Sequence, residues 1–343
     1  MTKIFDRLAT VLTTVALTLV ATVATPLTTR AETHPHTKNT IRHATLDRCK
    51  VLTQHACGPW RLTLRNGKQI ILHDAQVNAR SKKGKPIRTE MAAIAISGNG
   101  RRVAYIRAND HRIVVRDLGG DVYVMPREAL PTRADNVALQ LSDNGTHLAV
   151  NTQIFNVDRA VKLAKLPGTG TTGVLDRAPT DGKASFEGFS GDGDEALTVR
   201  SLKGDRLELI SYSLRGEVLA RATLKSEIPP SFLGYAPLAL GADGRSVAHL
   251  TATAGKDAVE IIDLTTGRRI RNVKVKVPEY GYQAVFATDW ITADKLTVHI
   301  QEELLTTPSP IRVLEINLTT GKITTRERYE FRDNVFGYRA CGG

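Results

Sequence analysis

Residues Ala92 to Pro126 read AAIAISGNGRRVAYIRANDHRIVVRDLGGDVYVMP. Four short apolar runs, Ala92 to Ile96, Val103 to Ile106, Ile113 to Val115 and Val122 to Val124, are separated by Asn99-Gly100, Asn109-Asp110 and Gly119-Gly120. Asn-Gly and Gly-Gly supply the positive φ that tight hairpins need, so each cluster marks a reversal between antiparallel strands. The stretch is predicted to form one four-stranded antiparallel sheet.

The same punctuation recurs down the chain. The first turn returns as Ser142-Asp143-Asn144-Gly145, Ser190-Gly191-Asp192-Gly193 and Gly241-Ala242-Asp243-Gly244, with a shortened form at Thr292-Ala293-Asp294. Counted from Gly100, its glycines are spaced by 45, 48 and 51 residues, and Asp243 to Asp294 is again 51. A second marker keeps step: Asp117-Leu118-Gly119-Gly120, Ser213-Leu214-Arg215-Gly216, Asp263-Leu264-Thr265-Thr266-Gly267 and Asn317-Leu318-Thr319-Thr320-Gly321. A fixed period of this length denotes stacked supersecondary units. Between the markers each unit alternates small and apolar residues, as in Val103-Ala104-Tyr105, Val247-Ala248-His249 and Thr297-Val298-His299. Strands of that kind have two faces to cover, so neighbouring units must pack on one another. Upstream, Trp60 to Asp74 reads as two alternating strands joined at Asn66-Gly67. Five units and this hairpin predict an all-β chain of six four-stranded sheets, with seven as the alternative count.

The pattern of an apolar strand, Ser-x-(Asn/Asp)-Gly, a second apolar strand and a later Asp-Leu-x-x-Gly turn resembles the WD-repeat-like propeller repeat of TolB-type exported bacterial proteins. It extends from about Met91 to Phe331, although the proline usual after the motif serine is missing in every unit. The resemblance implies a β-propeller, and it implies little about activity, because propellers host unrelated functions. It also implies that the last blade combines strands from both chain ends. On that basis Cys341 is expected near Cys49 or Cys57, the competing arrangement being a local Cys49–Cys57 bridge; three cysteines leave one thiol over.

Outside the repeats, Lys3 and Arg7 precede the uncharged run Leu8 to Val23, and a small-x-small site follows at Thr29-Arg30-Ala31. This is the layout of a secretory signal peptide, with an uncleaved anchor as the alternative. The expected organisation is signal or anchor over residues 1–31, a flexible leader over 32–47 and a propeller over 48–343. The protein is therefore expected outside the cytoplasm, secreted or tethered by its N-terminal segment, with no multi-span membrane domain. An oxidising compartment also permits a disulfide.

With a formal net charge of +12 over 343 residues, the chain is suited to anionic partners. Arg80 to Arg88, RSKKGKPIR, holds five basic residues in nine. It reads as a solvated loop or a contact for an anionic partner, and without an aromatic residue it offers bases no stacking platform, so nucleic acid is not expected.

Catalytic and cofactor signatures are incomplete. Gly168 to Gly173 matches the dinucleotide fingerprint, but Pro167 and Pro179 flank it and no helical face follows, so no nucleotide is expected. Gly188-Phe189-Ser190-Gly191-Asp192 nearly matches a nucleophile elbow, yet Ser190 is already the repeat's turn serine. Asp192, Asp194 and Glu195 hint at Ca²⁺ without the spacing of a ligand loop, and a polar turn is expected. His249 and His299 share a column of the alignment, which predicts interblade packing or a shared ligand. No cofactor or metal is expected.

The remaining candidates are the loops entering each innermost strand, which carry Arg127, Arg133 with Asp135, Tyr235, Tyr280 and Tyr282. Exposed Tyr beside Arg is the composition of an interaction surface, whereas the same rings could cap the channel as core. The reading is a non-catalytic propeller that binds an extracytoplasmic protein or an anionic cell-surface polymer through these loops. The alternative is a hydrolase or lyase acting in the central channel.

Overall fold

At Asn99 and Gly100 the chain must reverse within two residues, and it does so with Gly100 at φ +68° and its N–H donating to Ser97 O at 2.8 Å. The computed structural model describes residues 37–49, 55–130, 137–167, 184–203, 206–225, 238–251, 257–277, 284–302, 310–330 and 335–341. The chain divides into Met1–Arg30 and Ala31–Gly343, and every strand among the described residues belongs to the second unit.

In chain order, β1 (Ile41–Arg48), β2 (Ala56–Leu64) and β3 (Gln69–Leu72) come first, followed by a two-stranded ribbon of β4 (Asn78–Arg80) and β5 (Pro86–Met91). Blade I is β6 (Ile94–Ile96), β7 (Arg102–Ile106), β8 (Ile113–Asp117) and β9 (Val122–Val124). Blade II is β10 (Leu139–Leu141), β11 (His147–Val150), β12 (Gln153–Asn156) and β13 (Val161–Lys165). Blade III is β14 (Ala184–Phe189), β15 (Glu195–Leu202), β16 (Arg206–Ser213) and β17 (Val218–Lys225). Blade IV is β18 (Leu238–Leu240), β19 (Ser246–Thr251), β20 (Ala258–Asp263) and β21 (Arg268–Lys274). Blade V is β22 (Ala284–Thr292), β23 (Lys295–Gln301), β24 (Pro310–Asn317) and β25 (Ile323–Glu330). Blade VI is composite: β26 (Val335–Ala340) pairs with β1, giving the order β26-β1-β2-β3.

The result is the expected six-bladed β-propeller. Each blade is covered on both faces by its neighbours, and the core is distributed over the gaps between blades. Val103 and Tyr105 of β7 pack toward blade VI in a cluster with Trp60, Leu62 and Ile96, while Ala104 and Ile106 pack toward blade II with Leu139 and Phe155. Trp60 is fully buried, and its Nε1–H donates to Gln76 O at 3.1 Å.

The structure corrects two expectations. Residues 41–47, which the sequence assigns to a flexible leader, lie in β1, the second strand of blade VI, with Ile41, Ala44 and Leu46 fully buried. The bridge runs between Cys49 and Cys57, and Cys341 is a buried free thiol. Closure does bring the chain ends together, because Cys341 N–H donates to Arg42 O at 3.2 Å. Yet Arg42 is at the start of β1 and Cys49 follows its end, and a strand of this length keeps the two on the order of 20 Å apart at about 3.3 Å per residue.

Candidate functional site

Antiparallel succession sorts the connections of every blade to two ends. The reversals from the first to the second strand and from the third to the fourth fall at one end. Those from the second to the third, and from each blade to the next, fall at the other. The first is called the turn end and the second the connection end.

The turn end repeats one piece of hydrogen bonding. Ser97 Oγ donates to Asn99 Oδ1 at 2.8 Å and accepts Arg102 N–H at 3.0 Å, while Arg101 N–H reaches Asn99 Oδ1 at 2.9 Å. In blade II the roles pass to Ser142, Asn144, Thr146 and His147, and in blade III to Ser190, Asp192, Asp194 and Glu195. These short side chains satisfy backbone groups left over by the turn, which is why Ser and Asx recur there. Ser190 is accordingly a turn residue, and Asp192 and Asp194 belong to the turn that the sequence predicts. Glu195, close to Asp192 and Asp194 and partly desolvated, has its carboxyl raised to about 7 by burial and by those charges. In blade II the missing second marker is replaced by Asn156–Ala160, where Ala160 takes the left-handed conformation at φ +51° and Arg159 N–H donates to Asn156 Oδ1 at 2.9 Å.

The connection end varies from blade to blade. It carries the Cys49–Cys57 loop, the β4–β5 ribbon, an exposed ion pair of Arg107 with Asp110, and the 3-10 turn Arg127–Ala129. Arg127 projects into solvent from that turn while Ala129 is buried beneath it. Arg133, Asp135, Tyr235, Tyr280 and Tyr282 lie outside the described residues, as does Gly168 to Gly173.

Two carboxyls on innermost strands carry no signal in the sequence, since only packing distinguishes them. Glu187 on β14 accepts Leu238 N–H of blade IV at 3.3 Å, and burial pushes its carboxyl up to about 7. Asp289 on β22 is raised to about 8 by burial and by the charge of Asp143. Gln140 on β10 lies beside Gly188, the residue after Glu187. Protonated carboxyls so placed are able to donate hydrogen bonds near neutral pH.

His249 and His299 do not face one another. Ala248 and Leu250 pack with Leu296, Val298 and Ile300 between blades IV and V, so by alternation His249 points toward blade III and His299 toward blade VI. The tight Thr292–Lys295 reversal shifts β23 against the other units, and a one-residue slip moves every side chain to the other face. Burial lowers both imidazoles, His299 to about 3, with Arg65 and Arg326 adding to its shift. No helix among the described residues is long and apolar enough to cross a membrane.

A ring of six four-stranded sheets, closed by strands from both chain ends and carrying short recurring turns at one end and unequal connections at the other, defines a β-propeller repeat protein. Among solved structures the chain is similar to a protein assigned as TolB from Agrobacterium tumefaciens, at 14% identity over 88% of this chain and 93% of that one, with a TM-score of 0.41. It is similar also to TolB from Acinetobacter baumannii, at 14% identity over 87% of this chain and 66% of that one, TM-score 0.43. A chain of a nidogen/laminin complex follows at 11% identity over 86% and 97%, TM-score 0.42. No protein-family model matches the chain, and no curated protein matches it. These likenesses are of fold, and they carry no statement about what this chain binds.

Proposed function

We propose that the chain is an exported, non-catalytic recognition module whose connection end binds another extracytoplasmic protein or an anionic cell-surface polymer. The asymmetry of the two ends carries this reading: one hydrogen-bonded turn recurs in blades I to III and serves the scaffold, whereas the connections differ in length and chemistry. The Cys49–Cys57 bridge supports an oxidising compartment. Tyr235, Tyr280, Tyr282, Arg127, Arg133 and Asp135 are the proposed contact residues, since Tyr and Arg dominate the energetics of interfaces.

The test is site-specific photo-crosslinking on the mature chain, with the reactive group placed beside Tyr235 and Tyr282 or at Gly216 on the turn end. Adducts with a defined partner should form from the connection end and disappear in the Tyr235→Ala/Tyr282→Ala variant. Equal adducts from both ends would overturn the proposal.

One observation favours the hydrolase or lyase alternative. Glu187 and Asp289 hold protons near neutral pH on innermost strands, as a general acid must. Turnover of a glycan or peptide substrate that is lost in Glu187→Gln or Asp289→Asn, with folding intact, would select that reading over binding.

A further inference from the structure

The basic run Arg80 to Arg88 is a built hairpin. Ser81 N–H donates to Lys85 O at 2.8 Å, Gly84 N–H donates to Ser81 O at 2.8 Å, and Lys85 N–H also reaches Ser81 Oγ at 3.2 Å. Gly84 takes φ +74° to make the turn, and Arg80 Nη1 caps it from the side by donating to Gly84 O at 2.9 Å. The stem is closed by Ala92 N–H to Val77 O at 2.9 Å, and the Asn78 amide holds the irregular stretch of β5 through Arg88 O and Glu90 O. The cations are thus presented on an ordered ribbon at the connection end, between blades VI and I.

Lys82, Lys83, Lys85 and Arg88 are exposed, Arg80 is half-buried, and Glu90 is the sole carboxylate between Arg80 and Met91. Among the described residues the ion pairs lie elsewhere, so no described carboxylate pairs with any of these five charges. Like charges gathered this closely repel one another, and a bound anion relieves the repulsion.

Chemistry narrows the anion. Two arginines on the stem offer forks that match phosphate oxygens, and three lysines at the tip offer point charges, so one ligand molecule reaching both levels must be extended. No aromatic residue lies between Asn78 and Met91, which leaves bases without a stacking surface. Insertion into a lipid surface needs exposed apolar side chains beside the cations. Among the described residues none of the exposed large apolar side chains is on the ribbon: Ile71 and Val122 are on outer strands of the neighbouring blades VI and I, and Val161, Val218 and Ile270 are on outer strands of blades II, III and IV.

We propose that the β4–β5 ribbon is a docking arm for a linear phosphate-bearing polymer. This deepens the polymer branch of the function proposed above, and it separates from the protein-binding branch because the tyrosines and the ribbon are changed in different variants.

The experiment measures binding of fluorescent long-chain inorganic polyphosphate to the mature chain across a salt series. Wild type should bind at low salt with log affinity falling linearly in log salt. Lys82→Ala/Lys83→Ala/Lys85→Ala should weaken binding roughly tenfold or more and flatten the slope by about 2, the release expected for three lost contacts. Lys82→Arg/Lys83→Arg/Lys85→Arg should restore both. A charge-matched control on the exposed face of β21, Arg268→Ala/Arg271→Ala/Lys274→Ala, should stay within about twofold of wild type. All variants should melt as wild type does, because the substituted side chains of the two charge sets are exposed. Equal loss in the control, no binding by wild type at low salt, or ribbon-dependent capture of phosphatidylglycerol vesicles or single-stranded DNA in preference to polyphosphate would each overturn the proposal.

Discussion

Ala340 on the last strand is paired with His43 on the first, in the antiparallel ladder that closes the ring. Beside it, Ile96 of blade I bridges Cys341, and Arg65 Nη2 donates to Cys341 Sγ at 3.1 Å. The seam between blades V and VI joins polar contacts to an apolar cluster: His43 stacks on Tyr329 with ring centroids 5.0 Å apart, Arg42 and Arg65 both pair with Glu327, and Ile311, Val313 and Tyr329 pack with Val335 and Tyr338.

A chain ending at Glu330 lacks β26 and leaves β1 without its inner partner. The loss should match or exceed the whole stability of an ordinary domain, about 5 kcal/mol or more, so the folded population disappears. Circular dichroism melting checks this, and a cooperative transition at the wild-type temperature would contradict it.

Reducing or removing the Cys49–Cys57 bridge should destabilise the fold by about 2 to 3 kcal/mol, the chain-entropy value for so short a loop. Cys49→Ser/Cys57→Ser should lower the denaturant midpoint with an unchanged slope. Unreduced protein in denaturant should titrate with one thiol, that of Cys341; three reactive thiols would contradict the bridge.

The pH dependence has opposite signs in two places. Glu187, raised by burial from 4.5 to about 7, holds a proton in the fold that the unfolded chain releases. Its contribution is full below about 4.5 and is lost as pH rises through about 7. Asp289 behaves alike, from 3.8 to about 8. His43, lowered from 6.5 to about 3 by burial and by Arg42 and Arg65, contributes fully above about 6.5 and loses that contribution as pH falls through about 3. Melting temperature should therefore be highest between about 4.5 and 6.5 and fall on both sides. Glu187→Gln and Asp289→Asn should raise it at pH 8 (~1.5 units above His43's unfolded value) and leave it nearly unchanged at acid pH.

Gly100 and Gly67 separate backbone strain from collision. Both take positive φ, but a Cβ at Gly100 would lie 2.4 Å from Ile41 O, whereas at Gly67 nothing lies within 4 Å. Gly67→Ala should cost about 1 to 2 kcal/mol, the left-handed penalty alone. Gly100→Ala should cost more, because it also pushes β1 away from the turn that receives the Ile41 N–H bond to Gly100 O at 2.7 Å. Denaturant melts of the two variants measure the difference.

The blades are legible in the sequence because a tight reversal has few chemical solutions, and Ser97, Asn99 and Gly100 together are one of them. Strand β1 is not, because alternation fails where both faces are covered: His43 and Thr45 are as buried as an apolar residue would be. The histidine column misleads for a related reason, since the turn at Thr292–Lys295 changes length without changing its marker. Glu187 and Asp289 look like ordinary surface carboxylates in the sequence, and only the neighbours that desolvate them give them their titration. The contact residues proposed for the connection end belong to segments marked by composition rather than by periodicity.

Arg42 and Cys341 meet at the turn end, where blades I to V each carry a covalent reversal. Topologically the propeller is a closed circle of strands cut once at that position. A short linker from Cys341 to Thr40, with new termini opened between Asp243 and Gly244, would permute the chain while keeping every ladder. For the same reason, a resin or surface coupled beside either Thr40 or Cys341 grips the propeller by its turn end and leaves the basic ribbon and its neighbouring connections facing away from the point of attachment.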